Sequence, residues 1–276
     1  MSGGEALVLV ALDDPRFVDV RFLEESARVG PVHVLMHSDE AAAAQNGAPP
    51  TFPLEERRYF AEAVRYVERV TTLYDASAPD SLPAHYAVSP GTWVVPASAD
   101  TPEKRHFCAR SGLDYMVIAD PTTAVTSGVQ VVPRVATPSP AKRVIATGCY
   151  DWLHSGHIRF FEEASELGDL YVTVGNDVSV KRFKGPDHPL HSEVERRYMV
   201  SSIRFVTEAL VSTGDGWMDA IPEIERLEPA IWVVNQDGDR AEKREYCETH
   251  GIEFRVLSRL PKHGLPARQS TNLRGF

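Results

Sequence analysis

The sequence predicts an α/β fold in which two similar units follow one another along the chain, each built around a parallel β-sheet. The first observation is an internal repeat, since segments of the first half recur in the second at an offset constant to within one residue. The second is an alternation of short apolar runs with amphipathic stretches, which is typical of βαβ units. The third is the composition, 43% hydrophobic and 25% charged residues over 276 residues, which is that of a globular protein.

The repeat runs along the whole chain. Three pairs of matching segments are 21–30 with 159–168, 56–59 with 195–198, and 93–95 with 232–234. Chance similarity would not keep this register, so we predict a tandem duplication. The stretch at 121–142 is rich in Pro, Thr, Ser and Val, as linkers are. The expected organisation is a first domain at 1–125, a linker at 126–142 and a second domain at 143–276.

The second unit shows the predicted elements most clearly, because its apolar runs and its helical periodicities alternate without interruption. In chain order they are a strand at 143–147, a helix at about 156–167, a strand at 169–175, a helix at about 193–204, a strand at 230–235, a helix at about 240–250 and a strand at 253–257. This order predicts a Rossmann-like doubly wound sheet. Ligands of such sheets bind at the carboxyl ends of the strands.

The turn after the first of these strands carries the most informative motif. It reads Gly148-Cys149-Tyr150-Asp151-Trp152-Leu153-His154-Ser155-Gly156-His157. A strand that enters a helix through such a turn points backbone N–H groups at a bound phosphate, and the helix dipole favours negative charge there. Gly156 allows close approach of a ligand, and imidazoles at His154 and His157 can donate hydrogen bonds to phosphoryl oxygens.

This segment resembles the nucleotidyltransferases that carry a His-x-Gly-His motif, in particular their cytidylyltransferase branch, and the double-unit layout resembles ethanolamine-phosphate cytidylyltransferases. The resemblance implies transfer of CMP from CTP to a small phosphorylated or phosphonylated acceptor, with release of pyrophosphate and with Mg²⁺ on the triphosphate. It implies catalytic roles for His154, His157, Lys184 and Thr271. The implied nucleotide-binding residues are Gly148, Cys149, Tyr150, Asp151, Gly156, Lys181, Arg204, Asp237, Arg268 and Ser270.

Two further segments carry the resemblance. Lys181 and Lys184 stand in the expected loop after the second strand, where the family holds phosphates with lysines. Close to the end of the sequence stand Arg268, Ser270 and Thr271, similar to a second family signature in which Ser or Thr begins a helix that binds phosphate oxygens. Residue 207 is Thr where the family usually has Asp, and this leaves ATP open as the nucleotide.

The first half lacks the chemistry of the second. The repeat places Arg16 opposite His154 and Asp19 opposite His157, so both histidines are missing. We therefore expect a degenerate copy that serves structure, pairing or regulation. Single-unit relatives of this kind commonly pair, so an internal pseudo-dimer is expected, and a homodimer is left open.

Composition excludes several other classes. A formal net charge of −10 argues against a general nucleic-acid binder, and no apolar run is long enough for a membrane span. Three cysteines without zinc-type spacing and an amino terminus without a basic region favour a cytoplasmic protein. Three alternatives to cytidylyl transfer remain: an adenylyltransferase of the same fold, a non-catalytic nucleotide sensor, and a metal site at the paired histidines.

Overall fold

The chain folds into two compact units, Met1–Ala124 and Val125–Phe276, in a computed structural model. The structure describes residues 4–75, 80–83, 86, 91–120 and 140–268. Each unit forms one five-stranded sheet among these residues, and every strand pairing in both sheets is parallel. The predicted α/β fold of two parallel-sheet units is thus confirmed.

The first unit alternates strands and helices from its start. Its strands are β1 (Glu5–Leu9), β2 (Val32–His37), β3 (Val67–Leu73), β4 (Gly91–Pro96) and β5 (Asp114–Ile118). Its helices are α1 (Phe17–Ser26), α2 (Asp39–Asn46), α3 (Leu54–Ala63) and α4 (Pro102–Ser111). The strand order across the sheet is β3-β2-β1-β4-β5.

The second unit repeats this plan with one additional helix among the described residues. Its strands are β6 (Arg143–Gly148), β7 (Asp169–Val174), β8 (Glu208–Val211), β9 (Ile231–Asn235) and β10 (Glu253–Leu257). Its helices are α5 (Ser155–Ser165), α6 (Asp177–Lys184), α7 (Glu193–Ser201), α8 (Ile221–Leu227) and α9 (Ala241–His250). The strand order is β10-β9-β6-β7-β8, so β6 starts at the centre and the chain winds outward on both sides.

That strand order fixes where a ligand site can form. The chain passes from β6 to β7 and β8 on one side, and later returns to β9 and β10 on the other. Right-handed crossovers therefore place α5, α6 and α7 on one face of the sheet and α8 and α9 on the opposite face. The loops at the carboxyl ends of β6 and β9 separate at this switch point and leave a crevice between them.

The repeated cores show how similar sequences give similar packing. Trp93 on β4 and Trp232 on β9 are each 1% exposed. Trp93 meets Phe107 edge to face at 6.0 Å between ring centroids, and Trp232 meets Tyr246 in the same way at 6.1 Å. Burial of such large apolar side chains at matching positions stabilises both sheets against their helices.

Three elements of the second unit differ from the expectation. The lysine-bearing stretch after the second strand is the helix α6 and not a loop, and β8 and α8 were not predicted. Asn176 caps α6 by accepting a hydrogen bond from the Ser179 backbone N–H, and Gly185 follows its last residue with φ of 102°. The capping residue and the glycine define the two ends of a helix, although the polar composition of this segment is typical of a loop. Among the described residues, no helix has the length and apolar character needed to cross a membrane.

Candidate active site

A tight turn at the end of β6 shapes the centre of the site. Tyr150 takes the left-handed conformation, with φ of 52°, which is costly for a bulky residue. Its ring folds back over the strand end, so that a Cβ on Gly148 would lie 2.8 Å from the Tyr150 Cζ atom. Glycine at position 148 is therefore required by the turn itself. The turn aims the following residues toward the start of α5.

His154 caps helix α5. Its backbone is extended, and its Nδ1 atom accepts a hydrogen bond from the Gly156 backbone N–H at 3.1 Å. Because Nδ1 is the acceptor, the proton of the neutral ring lies on Nε2, which is left as a donor. A Cβ on Gly156 would lie 2.9 Å from the Arg268 carbonyl oxygen, so glycine here lets the carboxyl-terminal segment approach the helix.

His157 lies one turn further along and stacks on His154. The two imidazole rings are 3.9 Å apart at 27°, and Tyr150 meets the His157 ring edge to face at 5.4 Å. His157 Nδ1 is buried and has no hydrogen-bond partner within the described part of the chain. Such an atom is costly unless a ligand or water satisfies it.

Both rings are held in the neutral form. Burial lowers the pKa of His154 to about 3, and Arg259 and Arg268 act in the same direction. Burial, followed by repulsion from His154, lowers the pKa of His157 well below its ordinary value. The two imidazoles therefore act as hydrogen-bond groups and not as fixed cations near neutral pH.

Charge at the site comes instead from neighbouring basic residues. Lys184 is the last residue of α6 and lines the cavity beside the His157 ring and the turn after β6. Arg259 lines the same cavity, and its guanidinium donates a hydrogen bond to the Arg268 carbonyl oxygen at 3.4 Å. A chain of net negative charge thus places two cations, Lys184 and Arg259, at this cavity, where they could attract an anionic ligand.

Arg196 holds the framework of the site together. It is 1% exposed and donates to the carbonyl oxygens of Cys149, Gly175 and His191 at 2.6, 2.8 and 2.9 Å. It also contacts the Asp177 carboxylate at 2.7 Å. One guanidinium therefore joins the ends of β6 and β7, the loop before α7 and the start of α6.

Asp151 plays a matching structural part. Its carboxylate accepts hydrogen bonds from the backbone N–H groups of Leu190 and His191. Burial alone would raise the pKa of Asp151, but these N–H groups and His188 outweigh burial and lower it. Asp151 also lines the cavity, so the loop that it anchors forms one wall of the site.

The first unit retains this framework without the histidines. Arg57 donates to the carbonyl oxygens of Phe52, Ala11 and His37 and contacts Asp39 at 2.8 Å. Asp13 accepts from the backbone N–H groups of Thr51 and Phe52. At the start of α1 the Arg16 backbone N–H donates to the Asp19 carboxylate instead. The duplication therefore separates residues that maintain the fold from residues that equip the second unit.

A cavity of about 640 Å³ lies at the carboxyl ends of β6 and β9. The sequence-predicted residues that line it are Gly148, Cys149, Tyr150, Asp151, His157, Lys184 and Asp237. His154 lies directly against His157, and Gly156 lies at the start of the same helix. The structure thus brings most of the predicted set to one place at the switch point of the sheet.

Other predicted residues lie elsewhere. Lys181 is exposed on α6 and does not line the cavity. Arg204 is exposed in the turn between α7 and β8, which is the amino end of that strand and the opposite edge of the sheet. The structure gives no support to Arg204 as a nucleotide ligand, since the cavity is at the carboxyl edge. Ser270 and Thr271 lie outside the described residues, and Arg268 contributes its carbonyl oxygen next to Gly156.

Sequence reasoning missed the residues that α9 and the loop before α8 bring to the cavity. They are Trp217, Asp219 and Lys243, and Phe183 on α6 joins them. Lys243 belongs to a Glu-Lys-Arg segment at 242–244 that also occurs at 103–105, and by sequence this match indicates only the duplication. Lys104 matches Lys243 in the repeat, but the sequence does not show that Lys243 is buried, and most lysines lie on protein surfaces.

Known proteins resemble this chain mainly through its second half. A sequence model of the family described as Cytidylyltransferase-like matches residues 145–254. An FAD synthase of Aciduliprofundum boonei is 40% identical over 125 residues, which are 44% of this chain and 80% of that protein. An FAD synthase of Ferroglobus placidus is 35% identical over 119 residues, 42% of this chain and 74% of that protein.

A second kind of relative is larger. The bifunctional protein HldE of Nitratiruptor sp. is 42% identical over 76 residues, which are 27% of this chain. The match covers 16% of that protein, so the similarity concerns one part of a much longer chain.

Proposed function

The chain belongs to the cytidylyltransferase-like family of nucleotidyltransferases, and from this membership we propose that its second unit transfers CMP from CTP to a small phosphorylated or phosphonylated acceptor. The observation that carries the proposal is the stacked pair His154 and His157 at the start of α5, beside a cavity that Lys184 also lines. A helix start, two neutral imidazoles and a lysine form a site for phosphoryl oxygens.

The reaction follows from what such groups do. An oxygen of the acceptor's phosphate attacks the α-phosphorus of the nucleotide, and the bond from that phosphorus to the bridging oxygen breaks. The electron pair leaves with pyrophosphate, so no covalent enzyme intermediate is required. His154 and His157 donate to the oxygens on the reacting phosphorus, and Lys184 neutralises charge that grows there.

The leaving pyrophosphate is assigned to the carboxyl-terminal segment. Ser270 and Thr271 would offer hydroxyl and backbone N–H groups to its oxygens, and Arg268 would add positive charge. Support for this assignment is the position of Arg268, whose carbonyl oxygen lies where a Cβ of Gly156 would collide with it. The sequence that follows Arg268 therefore starts close to the histidines.

Mg²⁺ fits the site as a companion of the triphosphate. Within the described ranges, no group of three or more His, Cys, Asp or Glu side chains is placed to hold a metal ion. Mg²⁺ in nucleotide sites is often held by phosphate oxygens, waters and one or two carboxylates, so a protein cage is not needed. Asp237, exposed at the cavity wall, is the carboxylate best placed to assist.

Adenylyl transfer from ATP is the second candidate. The two relatives named FAD synthase favour it, because FAD contains an AMP half joined to a flavin phosphate. In this case the acceptor's phosphate, the leaving pyrophosphate and the roles of the residues stay the same. Only the base that the cavity accepts differs.

The test is pyrophosphate release with each of the four nucleoside triphosphates and Mg²⁺, against a panel of small phosphates and phosphonates. We expect a signal with CTP and one class of acceptor. Selectivity for ATP would transfer the proposal to the second candidate. Nucleotide binding without pyrophosphate release for any acceptor would favour a nucleotide sensor and contradict both cytidylyl and adenylyl transfer.

A further inference from the structure

Lys243 is a buried cation in the wall of the cavity. It lies in the first turn of α9, is 8% exposed and lines the same cavity as His157. In the part of the chain that the structure describes, its ammonium has no hydrogen-bond or ion-pair partner. Its contact is with the face of the Trp232 ring, 5.4 Å from the ring centroid. The Nζ atom is not among the fully buried polar atoms without a partner, so the donors of this ammonium are accessible from the cavity.

The duplication supplies a comparison for this lysine. Lys104 holds the matching position on α4 of the first unit, and its Nζ atom donates to the Ala99 carbonyl oxygen at 2.5 Å. Asp80 lies 3.7 Å from the same ammonium. Lys104 therefore has a hydrogen-bond acceptor and a nearby carboxylate in the first unit, which lacks the histidine pair. Lys243 has neither among the described residues of the second unit, which has the pair.

Asp219 provides the opposite charge in the same cavity. It lies in the loop before α8, and its Oδ2 atom accepts a hydrogen bond from the Ser212 hydroxyl at 2.7 Å. Burial lowers the pKa of Lys243 and raises the pKa of Asp219, and the attraction between the two opposes burial at Lys243. Polar groups of Ser212, Ser179 and the Asn176 backbone oppose the effect of burial on the pKa of Asp219. Lys243 and Asp219 form no direct ion pair among the described residues, so the donors of Lys243 and the remaining acceptor capacity of Asp219 face the cavity.

We propose that Lys243 and Asp219 form a polar subsite that binds a hydroxyl group of the acceptor, so that the acceptor is a hydroxylated phosphate or phosphonate. A hydroxyl accepts a hydrogen bond from an ammonium and donates one to a carboxylate, and it brings no charge. A second anionic group would face Asp219, and a cationic group would face Lys243. This inference rests on the proposed function, since it names the substrate class of that site.

The neighbouring side chains suit the carbon skeleton of such an acceptor. Phe183 and Trp217 line the cavity as an edge-to-face pair with ring centroids 5.8 Å apart, and both are about half exposed. The two aromatic rings would pack against the C–H groups of a short polyol chain, and Lys243 and Asp219 would form hydrogen bonds with its hydroxyl groups. The reacting phosphate then points to His157 and Lys184, on the other side of the end of β6.

Binding of two probes of the same charge tests the proposal without any turnover. The probes are glycerol 3-phosphate and n-propyl phosphate, which differ in their hydroxyl groups, and their affinities are measured by calorimetry with the full chain. Wild-type protein should bind glycerol 3-phosphate at least tenfold more tightly. In Lys243→Met and in Asp219→Asn this ratio should fall toward one, whereas the matched variant Lys104→Met should keep it.

Two further readouts separate recognition from structure. Lys243→Met should melt at or above the wild-type temperature, because it removes a buried charge without a partner, whereas Lys104→Met should melt lower because it loses a hydrogen bond. CTP and ATP affinities should be unchanged in Lys243→Met. If that variant instead loses nucleotide binding, Lys243 reads the nucleotide and the proposal is wrong.

Other outcomes also overturn the proposal. Equal binding of the two probes by wild-type protein, or an unchanged ratio in both cavity variants, removes the hydroxyl subsite. Tighter binding of 3-phosphoglycerate than of glycerol 3-phosphate would assign Lys243 to a second anion. Because none of these measurements requires pyrophosphate release, a failure of the proposed function leaves them interpretable on their own.

Discussion

At the scale of single residues, burial keeps two stacked imidazoles in the neutral form at the start of α5. His154 uses its Nδ1 atom to cap α5, and His157 keeps a buried Nδ1 atom without a partner among the described residues. Each neutral ring carries one N–H donor whose position is set by packing. Preorganised donors of this kind stabilise charge that develops during a reaction better than mobile water does.

The variant His157→Ala tests this arrangement. We expect kcat of pyrophosphate release to fall by about 10²–10³-fold, the usual cost of removing one preorganised donor. The melting temperature should change little, since the variant loses the packing of the imidazole but also removes its buried Nδ1 atom, which has no partner among the described residues. His106→Ala, on α4 of the first unit, is the control and should keep full activity. Turnover near the wild-type value in His157→Ala would exclude this ring from the mechanism.

The pKa of His154 predicts how stability depends on pH. In the folded protein this pKa is lowered to about 3 by burial, against 6.5 for an ordinary histidine. Between these values the unfolded chain binds a proton that the folded chain does not, so the free energy of unfolding decreases as the pH falls. From pH 7.5 to 5.5 this single group should cost about 1.4 kcal/mol.

Urea unfolding of wild type and of His154→Asn at both pH values measures this effect. Asn retains a side chain that can cap α5 but does not titrate. The variant should therefore lose less stability between the two pH values than wild type does. An equal loss in both proteins would show that His154 is not protected from protonation by its burial.

At the scale of elements, buried arginines join strand ends that would otherwise separate. Arg196 in the second unit and Arg57 in the first each donate to three carbonyl oxygens and one carboxylate. Carbonyl groups at the ends of parallel strands lack ladder partners, and the guanidinium satisfies several of them at once. The framework does not depend on the histidine pair, since the first unit has the same arginine contacts without those histidines.

Arg196→Met should destabilise the second unit by about 3–5 kcal/mol, because it leaves three carbonyl oxygens at the strand and loop ends, and the partly exposed Asp177 carboxylate, without their partner. Denaturant unfolding followed by Trp fluorescence measures the change, since Trp93 reports on the first unit and Trp152, Trp217 and Trp232 report on the second. Arg204→Met, at an exposed position, should change stability by less than about 1 kcal/mol. Comparable losses in the two variants would contradict the role of Arg196.

How much the sequence predicted differs from element to element. β6, α5, β7, β9, α9 and β10 begin and end within a few residues of expectation, since each is a clear apolar or amphipathic period. By contrast, α6 is short and polar and β8 has four residues, so neither carries enough periodicity to be recognised. Segments of this length are determined by tertiary packing more than by local pattern.

The candidate site was predicted in the same uneven way. The turn from Gly148 to His157 is contiguous in sequence, so its residues were found together. Arg196 and Arg204 are eight residues apart in sequence, yet Arg196 is buried and Arg204 is exposed. The sequence alone does not predict which of the two arginines is buried. Asp219 lies in the loop before α8 and Lys243 lies on α9, and only folding brings both side chains to the cavity.

At the scale of the whole molecule, the histidine pair stands in one of two similar units, and we expect that unit alone to bind nucleotide. The first unit has Arg16 and Asp19 where the second has His154 and His157, and burial raises the pKa of Asp19. A carboxyl group at that position does not favour a triphosphate, because any charge on it repels the phosphates.

Calorimetric titration with CTP and with ATP in the presence of Mg²⁺ should therefore give about one nucleotide per chain. His157→Ala should weaken this binding without changing its stoichiometry. Asp19→Asn should leave both the affinity and the stoichiometry unaltered. Two equivalent sites per chain would show that the first unit still binds nucleotide, and the view of a degenerate copy would then be wrong.

Transfer of a radioactive label tests the central claim most directly. CTP or ATP labelled at the α-phosphate is incubated with the full chain, Mg²⁺ and the acceptor that gives pyrophosphate release, and products are separated by chromatography. Nucleotidyl transfer predicts that the α-label appears in the acceptor product and that a γ-label appears in pyrophosphate. Label that appears only in free nucleoside phosphates, or nucleotide that binds and stays intact with every acceptor, would contradict it.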